Sequence, residues 1–104
     1  MSAADRVEML GADGRPLGWT YDRVQYDLVA EQVLVAVEAL ADADGDALLK
    51  EVVAFVQSQL GEHPAFPSGR LTNATRYVAA DLQGRGTLMR VGHRSPQRLR
   101  RVAG

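Results

Sequence analysis

Three stretches of this chain carry apolar side chains at the three- and four-residue spacing of one helical face. The first stretch follows Asp22, a residue type suited to cap a helix, and its apolar positions are Val24, Leu28, Val29, Val33, Ala36, Val37 and Leu40. The second follows Asp46, which we expect to be its cap, and its stripe consists of Leu49, Val52, Val53, Val56 and Leu60. Gly61 then provides a C-terminal stop. These patterns predict two amphipathic helices.

A third helix is predicted from about Arg70 to Gln83, opened by Ser68 or Gly69 and closed by Gly84 and Gly86. Its core-facing positions are Leu71, Ala74, Val78 and Leu82. We expect this stripe to pack against Val33, Val37, Val52 and Val56, with Leu88 or Met89 closing the core.

Turn signals on both sides of the helices predict two β-hairpins. Near the N-terminus, Val7 to Leu10 and Leu17 to Tyr21 flank an Asp-Gly turn. A lone hairpin is only marginally stable and Trp19 needs a surface to cover it, so we expect this hairpin to join or cover the C-terminal sheet. The second hairpin pairs residues 87–91 with residues 98–102.

The predicted order is hairpin, helix, helix, helix, hairpin, in a chain of 104 residues. This order predicts an α+β fold of the winged helix-turn-helix type, in which the C-terminal hairpin is the wing. The length suits a single domain, residues 1–104, with one core.

Charge is sorted along the chain. Residues 1–63 carry four basic side chains against twelve acidic ones, a net charge of −8, whereas residues 64–104 carry eight arginines against Asp81 alone, a net charge of +7. A surface of one sign attracts polyanions or an oppositely charged protein face. The basic part is therefore where we expect function, although an arginine-rich composition also serves solubility alone.

The third helix and the wing carry side chains suited to DNA. Off the apolar stripe, the helix offers Arg70, Thr72, Asn73, Thr75, Arg76 and Gln83, and the wing offers Arg90, Arg94, Arg98, Arg100 and Arg101. Arginine pairs with guanine, asparagine pairs with adenine, and either arginine or threonine contacts phosphate. We predict that duplex DNA is bound by Arg70, Asn73, Arg76, Arg94 and Arg98. Strand alternation divides the β-strand arginines between two faces, so we expect at least one to pair with Asp81 or with a carboxylate of the acidic part.

Other interpretations remain open. The same residues could form an ordinary solvated helix face, or the winged helix could be a protein-interaction module, including a homodimer, because the acidic part repels DNA unless it faces away. RNA binding lacks an evident stacking platform, since Tyr77 is the aromatic residue of the third helix.

Enzyme, cofactor and metal chemistry find no support in the sequence. Cysteine is absent, and His63 and His93 stand apart without a second ligand at metal spacing. Asp42, Asp44 and Asp46 are similar to a calcium loop, but Val53 occupies its twelfth position. We expect no enzymatic activity, no cofactor and no metal. With no signal-like or membrane-spanning segment evident, we expect a cytoplasmic protein.

Three segments resemble a family of small, uncharacterised bacterial proteins with a winged-helix appearance. They are Gly69 at the helix start, the D-L-x-x-R-G run of residues 81–86, and the S-P-Q-R-L-R-R signature of residues 95–101. The run from the third helix into the wing also resembles winged helix-turn-helix transcription regulators in general. The first resemblance implies architecture and no activity, and the second implies DNA binding.

Overall fold

The computed structural model describes residues 5–102. In chain order, the elements are β1 (Arg6–Leu10), β2 (Pro16–Asp22), α1 (Arg23–Ala39), β3 (Asp46–Leu48), α2 (Leu49–Leu60), α3 (Thr72–Gly84), β4 (Leu88–Val91) and β5 (Arg98–Arg101). The fold is α+β, with the predicted N-terminal hairpin, three helices and C-terminal antiparallel strand pair. This arrangement is compatible with a winged helix.

The short strand β3 was not predicted. It joins the C-terminal pair in an antiparallel sheet of order β3-β5-β4, in which Ala47 lies opposite Leu99. The prediction that Asp46 caps the second helix is therefore wrong: Asp46 begins β3, and Leu48 is the residue before α2. Three residues are too few to show a strand period, and the aspartate was mistaken for a cap.

The helix starts differ in how they are held. Asp22 caps α1 as predicted, with its side chain accepting a hydrogen bond of 2.9 Å from the Gln25 N–H. α3 begins two residues later than predicted, after Leu71. Gln57 of α2 fixes this start, because its Nε2 donates to the Gly69 carbonyl at 2.5 Å and its Oε1 accepts from the Leu71 N–H at 3.0 Å.

The core forms between the three helices and the sheet, as the apolar stripes predicted, except that Val24 of the predicted α1 stripe is 63% exposed in the first turn of the helix. Leu71, Val78 and Leu82 of the α3 stripe are buried, and Ala74 packs partly buried beside them. The α1 and α2 partners Val33, Val37, Val52 and Val56 are also buried. Leu88 closes the core at 1% exposure, whereas the next residue, Met89, is 46% exposed because strand neighbours point to opposite faces.

We predicted that the N-terminal hairpin joins or covers the C-terminal sheet. It does not join that sheet, because it forms a sheet of its own and packs chiefly against α3 and α1. Asp81 of α3 accepts a hydrogen bond from the Leu10 N–H at 2.8 Å, and Arg85 donates to the Glu8 carbonyl at 2.8 Å. Within residues 5–102, no helix is long and apolar enough to cross a membrane.

Candidate nucleic-acid interface

One strip of α3 faces away from the core. Thr72, Asn73 and Arg76 are exposed along it, and Ala80 and Gln83 are half-buried. Asn73 and Arg76 stand three residues apart, so their side chains lie on the same side of the helix. Arg70 is exposed just before the helix begins, where its N–H donates to the Ser68 hydroxyl at 3.2 Å. The structure thus places the three predicted α3 residues at the N-terminal half of one exposed strip.

Thr75 does not belong to this strip, contrary to the sequence prediction. It is fully buried, and its hydroxyl has no hydrogen-bond partner among the described residues. Its position, four residues after Leu71 and three before Val78, continues the apolar stripe. The position of Thr75 within the apolar stripe therefore indicated burial, whereas its polar residue type led us to place it on the exposed side.

The N-terminus of α3 has neither a side-chain cap nor an acidic residue in its first turn. Leu71 precedes the helix and offers no side-chain acceptor to its first N–H groups, and the first turn contains no acidic residue. A helix N-terminus carries a partial positive charge and unpaired N–H groups, which suit a phosphate. This end of α3 therefore adds to the positive charge of Arg70 and Arg76.

The wing loop holds the other two predicted residues. Arg94 is exposed in the loop between β4 and β5, and Arg98 begins β5 half-buried. Both line an open depression of about 390 Å³, together with Val91, Gly92, His93, Ser95 and Pro96. These two arginines are thus brought together at the wing, apart in sequence from the α3 group.

Strand alternation separates the wing arginines by face. Arg90 pairs with Leu99, which is buried against the helices, so Arg90 lies on the helix-facing side of the sheet. Arg98 and Arg100 neighbour Leu99 in β5 and lie on the outer side. β4 is the strand of this sheet that packs against α3, and Arg101, which pairs with the buried Leu88, lies on the same helix-facing side as Arg90. We did not include Arg90 among the predicted site residues. Its position two residues after Leu88 nevertheless indicated that the two side chains share one face of the strand.

Three arginines of the basic part form internal ion pairs. Arg85 binds Asp81 (Nε to Oδ1, 2.7 Å), and Arg100 binds Asp46 (Nε to Oδ1, 2.7 Å). Arg101 pairs with Glu38. The expectation that a β5 arginine pairs with an acidic-part carboxylate is confirmed, and the hydrogen bond that Arg100 donates to Asp46 raises the pKa of Arg100. Within residues 5–102, the remaining arginines of this part form no ion pair: Arg70, Arg76, Arg90, Arg94 and Arg98.

The aspartates of the α1–β3 connection are organised by hydrogen bonds. Asp42 Oδ1 accepts from the N–H groups of Asp44 at 2.9 Å and Asp46 at 3.0 Å. The bond from the Asp46 N–H is the largest cause of a lowered Asp42 pKa. Carboxylate oxygens of the three aspartates lie within 4.8 Å of one another, and Arg100 neutralises Asp46. The geometry is that of a turn that delivers the chain into β3.

The structure supplies an aromatic surface that the sequence did not suggest. Trp19 of β2 lies edge-on to Tyr77 of α3, with ring centroids 5.3 Å apart, and edge-on to Tyr21 at 6.3 Å. Trp19 and Tyr77 are 58 residues apart in the sequence and lie in separate elements, so only the docking of the hairpin on α3 brings them together. An exposed apolar surface therefore adjoins the polar α3 strip.

No family model, curated protein or solved structure matches this chain. The resemblance to a bacterial winged-helix-like family stays a prediction. The residues that carry it have structural roles here: Gly69 has a φ of +67°, and Asp81 pairs with Arg85.

Proposed function

We propose that this protein binds duplex DNA through the exposed strip of α3 and the β4–β5 wing, and that it acts in transcriptional regulation. Asn73 and Arg76 would read bases, and Arg70, Arg94 and Arg98 would contact phosphates, with Arg90 added by the geometry. Residues of these types supply base discrimination and sequence-independent attraction, respectively. A cytoplasmic location belongs to the same proposal.

The observation that supports this proposal is the division of the arginines. In the basic part, those that form ion pairs are Arg85 after α3 and Arg100 and Arg101 at the end of β5. Within residues 5–102, the arginines of this part without an ion pair lie at the start of α3, in β4, in the wing loop and at the first position of β5. An arginine without an internal ion pair is available to bind a phosphate. Arg98 also interacts electrostatically with Asp42, whose pKa it lowers. The unpaired positive charge is therefore concentrated on the elements that a winged helix uses for DNA.

The acidic part of the chain does not oppose this use of α3. α1 buries Val29, Val33 and Val37 against α3 and exposes Asp27 and Glu31 on its other face. Because both helices bury one face in the same core, their exposed faces point away from each other. Asp27 and Glu31 are thus directed away from the α3 strip, whereas Glu38, near the end of α1, pairs with Arg101 of the wing.

A second candidate function is that of a protein-interaction module. The exposed apolar surface of Leu17, Trp19 and Tyr77 favours it, because clusters of exposed apolar side chains mark protein contacts more often than DNA contacts. Trp19 and Tyr77 adjoin the α3 strip, so either partner would meet the same side of the molecule.

Fluorescence anisotropy with labelled duplexes tests the DNA proposal. We expect Arg94→Ala to weaken binding to every sequence alike, and Asn73→Ala or Arg76→Ala to relax discrimination at one base pair, by about 1–3 kcal/mol. The preferred sequence would first be selected from a random pool.

Arg101→Ala is the matched control, because it also removes one arginine of the basic part but one that pairs with Glu38. We expect it to bind within about twofold of the unmodified protein, a difference below about 0.5 kcal/mol. If Arg101→Ala and Arg94→Ala lost equal DNA affinity, binding would depend on the net charge of the protein and not on the assigned surface, which would contradict the proposal. Absence of binding by the unmodified protein would favour the interaction module.

A further inference from the structure

The depression of about 390 Å³ at the wing collects hydrogen-bond donors that no other part of the described chain engages. Four polar side chains line it: His93, Arg94, Ser95 and Arg98. Within residues 5–102, none of the four forms a side-chain hydrogen bond or an ion pair. The N–H groups of residues 93–95 also form none of the backbone hydrogen bonds of the described turns and loops. These donors are therefore available to a ligand.

The lining of the depression combines positive charge with apolar surface. Arg94 and Arg98 contribute two guanidinium groups, and no acidic residue of the described chain lines the depression. Asp42 is close enough for the charge of Arg98 to lower its pKa, but it lies outside the lining. Val91 and Pro96 add apolar surface beside the charged groups. Sites for small molecules have this composition and a volume of about 300 Å³ or more.

We infer that this depression binds a small phosphomonoester that carries a planar group, such as a nucleoside monophosphate. A phosphomonoester has up to about two negative charges at neutral pH, which two guanidinium groups match in charge and in geometry. Unpaired N–H groups of a loop bind phosphate as well. A planar base stacks on imidazole or guanidinium groups, which His93, Arg94 and Arg98 supply. The bases of duplex DNA are paired and stacked, so the duplex offers no such group to the depression.

Occupancy of the depression would also regulate DNA binding, and this consequence alone rests on the proposed function. Arg94 and Arg98 are the wing residues proposed to contact DNA phosphates, so a bound phosphomonoester withholds both from the duplex. At about ten times its dissociation constant, a fully competing ligand lowers the apparent DNA affinity about tenfold. We expect a loss of at least about threefold, since the α3 contacts remain. An unchanged DNA affinity would overturn this consequence.

The ligand site is tested without DNA, with adenosine monophosphate (AMP), inorganic phosphate and adenosine as the three probes. Each probe is titrated into isotope-labelled protein while NMR follows the backbone amide shifts. We expect AMP to shift the amides of residues 91–98 with a dissociation constant between about 10 μM and about 1 mM, the range open to a ligand of this size. Inorganic phosphate lacks the base and adenosine lacks the charge, so each should bind at least about tenfold more weakly.

Arg94→Gln and Arg98→Gln should each raise the dissociation constant for AMP about tenfold, because each removes a charged hydrogen-bond donor from the lining. Arg101→Gln is the matched control. It removes the same charge from the strand of Arg98, but Arg101 pairs with Glu38 and lies outside the depression. We expect its dissociation constant to stay within about twofold of that of the unmodified protein. The same spectra show that each variant is folded.

The absence of amide shifts up to about 10 mM AMP, a concentration above any specific affinity expected here, would overturn the inference. Inorganic phosphate or adenosine that binds as tightly as AMP would also overturn it, as would equal losses in Arg101→Gln and the two lining variants. The two proposals fail separately. A protein that binds DNA but not AMP contradicts the ligand site alone, whereas a protein that binds AMP but not DNA supports the ligand site and contradicts the proposed function.

Discussion

Asp81 joins the hairpin to the helices at the scale of single residues. Its carboxylate is fully buried and accepts hydrogen bonds from the Tyr26 hydroxyl, the Arg85 guanidinium and the Leu10 N–H. A buried carboxylate is stable only when its charge and lone pairs are satisfied, and here donors from three elements satisfy them. The single acid of the basic part is therefore structural, and it removes Arg85 from the set available to a ligand.

Replacing Tyr26 by Phe should lower the free energy of unfolding by about 1.5–3 kcal/mol, since a hydrogen bond to a charged acceptor is lost.

The same variant should also change how stability depends on pH. Burial, followed by the hydrogen bond to Asp81, raises the pKa of Tyr26 in the folded state. A raised folded-state pKa contributes stability that is complete below the unfolded value of about 10 and is lost as pH rises above it. Urea unfolding at pH 8 and above pH 10 should therefore show a smaller alkaline loss in the variant. Tyr77→Phe, at an exposed position, is the control and should change neither quantity; a Tyr26→Phe protein as stable as the original would contradict this role.

Thr75→Val should raise the free energy of unfolding by about 1 kcal/mol, because it removes a buried hydroxyl that has no partner among the described residues. Thr72→Val, the same change on the exposed side of α3, should alter stability by less than about 0.5 kcal/mol. Thermal unfolding of the two variants makes the comparison. Destabilisation by Thr75→Val would mean that the hydroxyl has a bonding role.

The residue-level predictions succeeded where one property decided the outcome. The spacing of the apolar residues identified the buried stripe of α3. Arg70 and Arg76 lie off that stripe, and both are exposed as predicted. Thr75 failed because residue type and spacing disagreed, and spacing was the better guide. Trp19 beside Tyr77 could not be foreseen, since it depends on where the hairpin docks.

At the scale of elements, close backbone packing holds the hairpin on α3. A Cβ at Gly84 would overlap the Gly11 carbonyl oxygen and approach the Gly14 Cα to 3.1 Å. Glycine is thus required at this crossing because of the neighbouring backbone. The local sequence showed Gly84 only as a helix stop, and β3 was missed because its pairing with β5 is a long-range contact.

Gly84→Ala should destabilise the protein by about 1–3 kcal/mol, the usual range for overpacking, although alanine is the better helix former by about 1 kcal/mol. Gly11→Ala is the control across the same contact, because its Cβ would meet chiefly the Asp13 side chain, at 3.2 Å, which can move away. Chemical denaturation measures both. A stabilised Gly84→Ala protein would show that the hairpin does not dock as described.

At the scale of the whole molecule, folding turns charge sorted along the sequence into charge sorted over the surface. α1 exposes acidic side chains, whereas the start of α3, β4 and the wing loop expose arginines that form no ion pair within residues 5–102. The sequence predicted this separation, but it could not tell which arginines are paired internally. That distinction depends on the β3–β5 register, which sets Arg100 opposite Asp46.

The salt dependence of binding to a random-sequence duplex tests the central claim most directly. Four or five phosphate contacts predict a slope of log affinity against log salt near −4, at about 0.9 for each contact. Arg90→Ala and Arg94→Ala should each reduce the slope by about 0.9, while Arg101→Ala should leave it unchanged. If the unmodified protein shows no binding at about 50 mM salt and about 100 μM protein, where non-specific DNA binding is ordinarily detectable, the account of this surface is contradicted.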